Sequence, residues 1–351
     1  MKKTIFAAIA VSTMLQPLVL SAADRENPQG WLLWHSYSDY SAMDSRLYLR
    51  TPQGKISEIS GDFVHAMNGD FGSSPCDIVF MAIDSSADEW DIYRYNAING
   101  KVKNLTEKSG FRNEDPKFSP DGQKIVFKRG YWDNSRNDFT YNLAEMELSN
   151  GEITMLTDDT NEQSMPYYSE NGKYIYYSEY INGISSIHRL NRESGKTEEI
   201  FAEKDVTAYY PIVHGEDLYF TKWNSADNRN DMIVKYTDNT VTSLQFNSAD
   251  FNVSDACPVS ADAMIYSSTQ NGNYDLYCYN GSENFSFDFG NTEKHELGAA
   301  FYSSEELKSY AADLEKFLLG ADAPDKNYDI DGDNTVDCFD IINVRKLVSG
   351  E

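Results

Sequence analysis

The chain has 351 residues, 40% of them hydrophobic, so it can bury the core of one large or two ordinary domains and is not a disordered protein. Its 30 Lys and Arg residues against 56 Asp and Glu residues give a net charge of −26. Because this charge repels phosphate backbones and anionic lipid surfaces, nucleic acid is excluded as a favoured partner.

The N-terminal stretch MKKTIFAAIAVSTMLQPLVLSAAD has two lysines, an apolar run from Ile5 to Leu20 and small residues at its end. This pattern is typical of a secretory signal peptide, so we expect residues 1–23 to be removed by cleavage near Ala23. The run is short for a membrane span and contains Pro17, and no cysteine follows it that could be lipidated. The sequence therefore predicts a secreted, extracellular protein without membrane insertion.

Residues 29–303 repeat one pattern of a proline or small residue, an aromatic or apolar position, a turn often containing Asp-Gly or Asn-Gly, and a short apolar strand. The best copy is EDPKFSPDGQKIVFKR at 114–129, and SMPYYSENGKYIYYSE from Ser164 is a looser one. The anchor positions recur at intervals of 42 to 50 residues, which suits a four-stranded propeller blade. The anchors are Phe71, Phe118, Tyr168, Val213, Val259 and Phe301.

The two ends of the array complete each other. The first copy starts at GWLLWHSY, the second strand of a blade, whereas the last copy, KHELGAAFYSS at 294–304, supplies only a first strand. We therefore predict an all-β six-bladed β-propeller whose first blade is closed by the C-terminal strand, leaving no open edge. The FSPDG turn at 118–122 resembles the TolB-like, WD40-like family of propeller repeats. The resemblance implies an architecture but not a function.

Four cysteines are too few for a disulfide-built scaffold in a chain of this length. Cys257 and Cys278 are predicted on the first and third strands of one blade. Because a whole strand separates them, we expect no disulfide between them.

The repeat register brings several candidate residues to one mouth of the central channel, where propellers usually carry their function. His35, His65 and His295 are predicted in one sector, where imidazoles can act as general bases or hold a divalent metal. Arg112 and Lys128 come next and could bind a uronate carboxylate. The alternative is that all five are hydrogen-bonded to neighbouring turns. The histidine cluster is similar, in kind only, to the metal site of oligogalacturonate lyases, which are propellers.

Polar and aromatic loops follow the second strands, and their rings could stack on sugar faces or simply cover the rims of their own blades. No G-x-S-x-G elbow, H-E-x-x-H helix or glycine-rich phosphate loop occurs. The propeller could be a polysaccharide lyase or glycoside hydrolase acting on acidic plant glycans. Alternatively, it is a non-catalytic carbohydrate-binding, protein-binding or structural propeller. The aromatic candidates are Trp90, Tyr131, Trp132 and Trp223.

After the propeller, the apolar period changes from two to three and four, which predicts a small α-helical domain at 304–351. One amphipathic helix is expected within Ser303 to Ala321, capped by Ser303 or Ser304 and ended by Gly320, and a second over residues 339–350. The expected apolar faces are Leu307, Tyr310, Ala311, Leu314, Phe317 and Leu318 on the first helix, and Ile341, Ile342, Val344 and Leu347 or Val348 on the second.

Between these helices, DIDGDNTVDCFD at 329–340 matches a twelve-residue calcium loop position by position. Five clustered carboxylates would repel one another without a hard cation between them. Asn334 stands at the sharp turn where glycine is usual, and asparagine is the next best residue for a left-handed backbone. The predicted Ca²⁺ ligands are Asp329, Asp331, Asp333, the Thr335 carbonyl, Asp337 and Asp340.

This loop, closed by an aspartate and followed at once by a helix, resembles a type I dockerin repeat. The resemblance implies docking to a cohesin module of a scaffoldin in a cellulosome, and thus work on plant polysaccharide. It also implies that loop positions 10 and 11, with nearby helix residues, contact the cohesin. The first of the two usual repeats is degenerate, since residues 302–313 lack the carboxylates to bind calcium. The implied cohesin contacts are Cys338, Phe339, Arg345 and Lys346.

Overall fold

The computed structural model describes residues 27–86, 89–226 and 230–350. The predicted signal peptide at 1–23 lies outside this range. Within the described residues, the chain forms six four-stranded antiparallel sheets followed by two α-helices. The predicted all-β six-bladed propeller with a short C-terminal helical region is therefore confirmed.

The strands follow one another along the chain in the order of the repeats. The first twelve are β1 (Gly30–Tyr37), β2 (Arg46–Arg50), β3 (Ile56–Glu58), β4 (His65–Phe71), β5 (Asp77–Ile83), β6 (Asp91–Asn96), β7 (Val102–Asn104), β8 (Arg112–Phe118), β9 (Lys124–Asp133), β10 (Asp138–Glu147), β11 (Ile153–Met155) and β12 (Glu162–Tyr168). The others are β13 (Tyr174–Ile181), β14 (Ile184–Asn191), β15 (Thr197–Phe201), β16 (Val206–His214), β17 (Asp217–Asn224), β18 (Met232–Thr237), β19 (Thr240–Ser243), β20 (Val253–Pro258), β21 (Met264–Ser268), β22 (Asp275–Tyr279), β23 (Asn284–Ser286) and β24 (His295–Ser303).

Blades two to six are the consecutive groups β4–β7, β8–β11, β12–β15, β16–β19 and β20–β23. Blade one is ordered β24-β1-β2-β3, so the last strand of the chain pairs with the first. The register runs from Gly30 opposite Ser303 to Tyr37 opposite His295. This is the predicted closure, and it gives the inner edge of β1 a partner strand.

The propeller core lies between neighbouring blades. Val126 and Leu143 of blade three, for example, pack with Tyr168 and Tyr177 of blade four. The FSPDG turn shows how a blade reverses direction: Gly122 has φ +68°, and its N–H donates to the Ser119 carbonyl at 2.8 Å. A Cβ on Gly122 would lie 2.1 Å from the Ser73 hydroxyl of blade two, so only glycine fits this turn.

Cys257 and Cys278 lie on β20 and β22, the first and third strands of blade six, with Ile265 of β21 between them in the register. Both are free and buried. The predicted strand placement of these two cysteines is confirmed.

The tail contains helices α1 (Ser304–Leu318) and α2 (Cys338–Ser349). Ser303 caps α1 in a capping box with Glu306, while Asp337 caps α2 and Gly350 ends it with φ +79°. No helix among the described residues is long and apolar enough to cross a membrane. Of the expected apolar faces, Leu307, Tyr310, Leu314, Ile341 and Val344 are buried, Ala311, Leu318 and Leu347 are half-buried, and Phe317, Ile342 and Val348 are exposed.

The helical tail, which follows the predicted boundary at residue 304, packs directly against the propeller. Its buried residues belong to one apolar cluster with residues of blades one and two. The reason is continuity, because Ser303 is both the last residue of β24 and the cap of α1, so no linker separates ring from helix. The shared cluster includes Trp31, Leu49, Phe71, Cys76 and Tyr93 from the ring and Leu307, Tyr310, Leu314, Tyr328, Ile330, Ile341 and Val344 from the tail.

Candidate functional site

Each innermost strand of the propeller carries a β-bulge, and the residue at the bulge has a left-handed backbone. The six bulge residues all line one cavity in the central channel, so the fold delivers one residue per blade to the same place. We call them the bulge ring. They are Asn68 (φ 53°), Asp115 (53°), Met165 (54°), Tyr210 (52°), Asp255 (55°) and Gly298 (62°).

The bulge ring contains two carboxyl groups. The Asn68 amide donates to Asp115 Oδ1 at 2.6 Å, and the Gly298 N–H donates to Asp255 Oδ2 at 2.8 Å. Burial, the largest cause, raises the pKa of both carboxyls. Lys117, also on the cavity wall, lies 3.5 Å from Asp70 Oδ1. The cavity thus offers mainly hydrogen-bond acceptors and an excess of acidic groups.

Tyr210 lines the same cavity as the two carboxyl groups, and two further tyrosines, Tyr37 and Tyr40, pack on each other. Tyr210 is 37% exposed, although it lies on β16, the innermost strand of blade five. Its pKa is raised well above the usual value, first by burial and then by the charges of Asp255 and Asp115, which line the same cavity. Tyr37 and Tyr40 form an edge-to-face pair with ring centroids 6.2 Å apart, and Tyr40 is 56% exposed. Aromatic faces and carboxyl groups together suit a polyhydroxylated ligand.

The first candidate histidine, His35, supports the bulge ring. Its Nδ1 accepts a hydrogen bond from the Asn68 N–H at 3.4 Å, which satisfies a backbone group that the bulge leaves unpaired. Burial, followed by the charges of His65 and Lys117, lowers the pKa of His35 to about 3. The ring also occupies the space where a Gly298 side chain would begin, 2.5 Å from the ideal Cβ position. His35 is therefore neutral and fixed.

The other two histidines also accept backbone hydrogen bonds: His65 Nδ1 from the Ser45 N–H at 3.1 Å, and His295 Nδ1 from the Tyr274 N–H at 3.3 Å. Tyr37 packs against both His35 and His295, with ring centroids 5.9 and 5.4 Å away. Within the described parts of the chain, these imidazoles do not form a group of three metal ligands. The structure thus places them in one sector, as predicted, but does not bring them together around a metal.

The two candidate cations are already paired. Arg112 lies 3.0 Å from Glu114, and Lys128 lies 3.2 Å from Glu114 and 2.7 Å from Glu162. Opposite charges of this kind neutralise the cations that a uronate would need, and they raise the pKa of Lys128, against the effect of burial. Sequence analysis missed the role of Glu114, although this residue begins the best copy of the repeat.

The aromatic candidates differ in exposure. Trp90 is 3% exposed and packs on His65 with ring centroids 4.8 Å apart, so it is unavailable to a ligand. Trp223 is half-buried, whereas Tyr131 and Trp132 are 38% and 48% exposed. Two of the four candidates, on blade three, are therefore accessible surfaces for stacking.

In the tail loop, ligand oxygens of Asp329, Asp331 and Asp333 lie within 4.8 Å of one another. Asp331 Oδ1 is buried without a hydrogen-bond partner. Burial, then the charges of Asp340, Asp333 and Asp329, raises the pKa of Asp331. A buried carboxylate oxygen without a partner costs free energy unless a cation contacts it, so these residues fit a hard divalent ion.

The rest of the loop has the geometry that the sequence predicts. Asn334 has φ +70°, the left-handed conformation expected at the sharp turn. Asp340 is 1% exposed, and its two oxygens accept hydrogen bonds from the Ile330 and Asp337 N–H groups, both at 2.8 Å. Asp340 therefore ties the two ends of the loop together, and Asp337 caps α2 through the Phe339 N–H.

The residues implied as cohesin contacts lie on the outer side of α2. Cys338, Phe339, Arg345 and Lys346 are all exposed, and Phe339 reaches 61%. Arg345 also forms an ion pair with Glu315 of α1 at 2.9 Å. The surface is open to a partner even though the opposite side of the tail packs on the propeller.

Comparison with known proteins gives relatives by structure and none by sequence: no family model and no curated protein sequence matches the chain. TolB from Acinetobacter baumannii superposes with a TM-score of 0.60 at 16% identity, over 78% of this chain and 66% of TolB. Hydrazine synthase from Kuenenia stuttgartiensis gives 0.65 at 12%, over 78% of this chain and 47% of the enzyme. Oligogalacturonate lyase from Vibrio parahaemolyticus gives 0.51 at 10%, over 69% and 70%.

The match thus spans less than two thirds of the length of the first two of these proteins. At such low identity the likeness concerns the fold alone. The chain is a β-propeller with TolB-like structural neighbours, and its fold is related to those of TolB and oligogalacturonate lyase.

Proposed function

We propose that the protein is secreted, attaches to a cohesin module of a scaffoldin through its calcium-ordered tail, and binds plant cell-wall polysaccharide with its propeller. The observation that carries the proposal is the cluster of Asp329, Asp331 and Asp333, whose ligand oxygens lie within 4.8 Å of one another around the unpartnered Asp331 Oδ1. Calcium would neutralise these carboxylates and fix the loop. The Thr335 carbonyl, Asp337 and Asp340 would complete the set of oxygen donors.

The partner surface follows from the position of the loop. Calcium would order the start of α2, and α2 presents Phe339, Arg345 and Lys346 to solvent beside Cys338. An exposed aromatic ring next to two cations is a suitable anchor for a protein partner. Because the buried face of the tail is already occupied, docking would use the intact repeat alone.

Calorimetry with calcium tests the tail. The mature protein is expected to bind one calcium ion tightly, Asp329→Ala/Asp331→Ala to bind none, and the control Asp322→Ala/Asp325→Ala, which removes two exposed carboxylates outside the loop, to bind as wild type. Wild type should then be retained on an immobilised cohesin panel with calcium and released by chelator. Absence of calcium binding by the wild type would refute the proposal, and binding without retention on any cohesin would refute the docking step.

For the propeller, the charges favour a neutral saccharide over the acidic glycan that Arg112 and Lys128 suggest. Both cations are paired with glutamates, and the bulge ring adds Asp115 and Asp255. Carboxylates readily accept hydrogen bonds from sugar hydroxyls, while a uronate would be repelled. We therefore propose binding of a neutral plant polysaccharide at the channel mouth. A lyase or hydrolase acting through His35 or His65 is the alternative.

Incubation with pectins, xylans and glucans separates these possibilities. Unsaturated products absorbing in the ultraviolet would indicate a lyase, new reducing ends a hydrolase, and retention without products a binding module. We expect retention on xylan or glucan, lost in Asp115→Asn and kept in the control Asp121→Asn, which lies in the exposed turn of the same blade. Turnover that is abolished by replacing His65 would overturn the binding proposal in favour of catalysis.

A further inference from the structure

The tail loop touches the propeller through two side-chain amides of blade two. In the turn between β6 and β7, Asn96 Nδ2 donates to the Ile330 carbonyl at 2.9 Å, and Asn99 Nδ2 donates to the Asp331 carbonyl at 2.5 Å. Ile330 and Asp331 are the second and third residues of the twelve-residue loop. The blade therefore holds the loop backbone where the carboxylate cluster begins.

This contact comes from a rigid turn. Asn96 Oδ1 accepts hydrogen bonds from the Ile98 and Asn99 N–H groups, at 2.9 and 3.1 Å, so its amide is oriented by its own blade. The loop also approaches closely, since a Cβ on Gly332 would lie 3.3 Å from Asn96 Nδ2. A partner that is fixed before binding lowers the ordering cost of the loop.

Apolar packing reinforces the same contact. Ile330 is 2% exposed and lies, with Tyr328 and Val344, in the apolar cluster shared by the tail and blades one and two. Residues 302–313, where a second calcium loop would stand, instead form the end of β24 and the start of α1. The tail thus packs on the propeller surface, with which it shares this apolar cluster.

We propose that blade two takes part in calcium binding: Asn96 and Asn99 position the loop, so that calcium binding and attachment of the tail to the ring stabilise each other. The proposal rests on the calcium site proposed above. Without calcium, five carboxylates repel one another within residues 329–340, which loosens the loop from the blade. With calcium, the loop fits its amide partners, and by linkage those partners raise the affinity for calcium.

Blade four supplies a matched control. Its β14–β15 turn repeats the same geometry, with Asn191 Oδ1 accepting from the Glu193 and Ser194 N–H groups at 3.1 and 3.0 Å. Asn191→Ala/Ser194→Ala therefore imposes a similar local cost at a turn that, within the described part of the chain, forms no hydrogen bond with the tail. The test compares this variant with Asn96→Ala/Asn99→Ala and with the milder Asn99→Ala in the full mature chain.

Calcium affinity by calorimetry and the calcium-induced rise in Tm are the two readouts, with calcium chloride as the only ligand. We expect Asn96→Ala/Asn99→Ala to bind calcium about tenfold more weakly, equivalent to about 1.4 kcal/mol, with a smaller rise in Tm, while the blade-four variant matches wild type. Asn99→Ala should lie between the two, and it answers the question if the double variant does not fold.

Equal calcium affinity in wild type and both blade-two variants would overturn the coupling while leaving the calcium site intact. Equal weakening by the blade-four variant would also overturn it, because the effect would then be general destabilisation. Failure of the wild type to bind calcium would refute the calcium site itself, and the coupling with it.

Discussion

Acidic pH should destabilise the folded protein through His35, because this side chain supports the bulge ring as a neutral imidazole. In the folded protein, the neutral imidazole accepts the Asn68 N–H and is 3% exposed, and its pKa is lowered from 6.5 to about 3. In the unfolded chain, the same group takes up a proton near pH 6.5. Between these values the unfolded state binds more protons, so its population increases as the pH falls.

The size of the effect follows from the pKa difference. One pKa unit corresponds to about 1.4 kcal/mol, so His35 alone should cost the folded protein about 3 kcal/mol at pH 4 relative to neutral pH. The contribution of His35 is fully present above pH 6.5 and is lost on the way to pH 3. Asp115 and Asp255 act in the opposite direction, because their raised pKa values make the folded state less stable as the pH rises above 3.8.

The contribution of His35 can be measured by urea unfolding at pH 7 and pH 4, followed by tryptophan fluorescence. The change in the free energy of unfolding between the two pH values is compared in wild type and His35→Asn. The asparagine can still accept the Asn68 N–H but does not titrate. We expect the variant to lose about 3 kcal/mol less than wild type between the two pH values. His214→Asn, at the end of β16 and half-buried, is the control and should behave as wild type. Equal pH dependence of wild type and His35→Asn would refute the assigned role.

Three further outcomes are expected. Leu314→Ala, which empties a fully buried position in the cluster shared by tail and ring, should lower the free energy of unfolding of the propeller by about 2–5 kcal/mol in urea; an unchanged propeller transition would show an independent tail. Asp331→Asn should abolish calorimetric calcium binding, and retained binding would remove Asp331 from the site. Tyr210→Asn should keep stability within about 1 kcal/mol but weaken polysaccharide retention on affinity gels; unchanged retention would exclude Tyr210 from the binding surface.

The architecture could be predicted because it depends on features that are local in sequence. Apolar strands and Asp-Gly or Asn-Gly turns recur at blade length, and the incomplete copies at 30–37 and 294–304 can only satisfy their edges by pairing with each other. The conformation of Asn334 could likewise be predicted from local sequence, and this residue adopts the left-handed backbone expected at its turn. Neither prediction required knowing which distant side chains come into contact in the folded protein.

The candidate site was predicted less well, because it depends on register and on pairing between blades. The bulge residue lies three positions before the anchor in five blades, but in blade six Asp255 lies four before Val259, so the anchor there should be Pro258. A bulge shifts every later side chain, which no periodicity reveals. Likewise, the pairing of Lys128 with Glu162, on the next blade, and the attachment of the tail to blade two are contacts between distant residues.

Some residues of the bulge ring are explained by the backbone conformation of the fold, whereas others are better explained by a ligand. Every blade needs a left-handed residue at this point, and glycine or asparagine, as at Gly298 and Asn68, meets that need at little cost. A bulky side chain in the same conformation costs about 1–3 kcal/mol, which the fold alone gives no reason to retain. Met165 and Tyr210 are such residues, and Tyr210 lines the same cavity as Asp115 and Asp255. The strain at Tyr210 therefore supports the proposed ligand surface in the channel, which Tyr210 and the two carboxyls would form, while His35 beside them supports the backbone of Asn68.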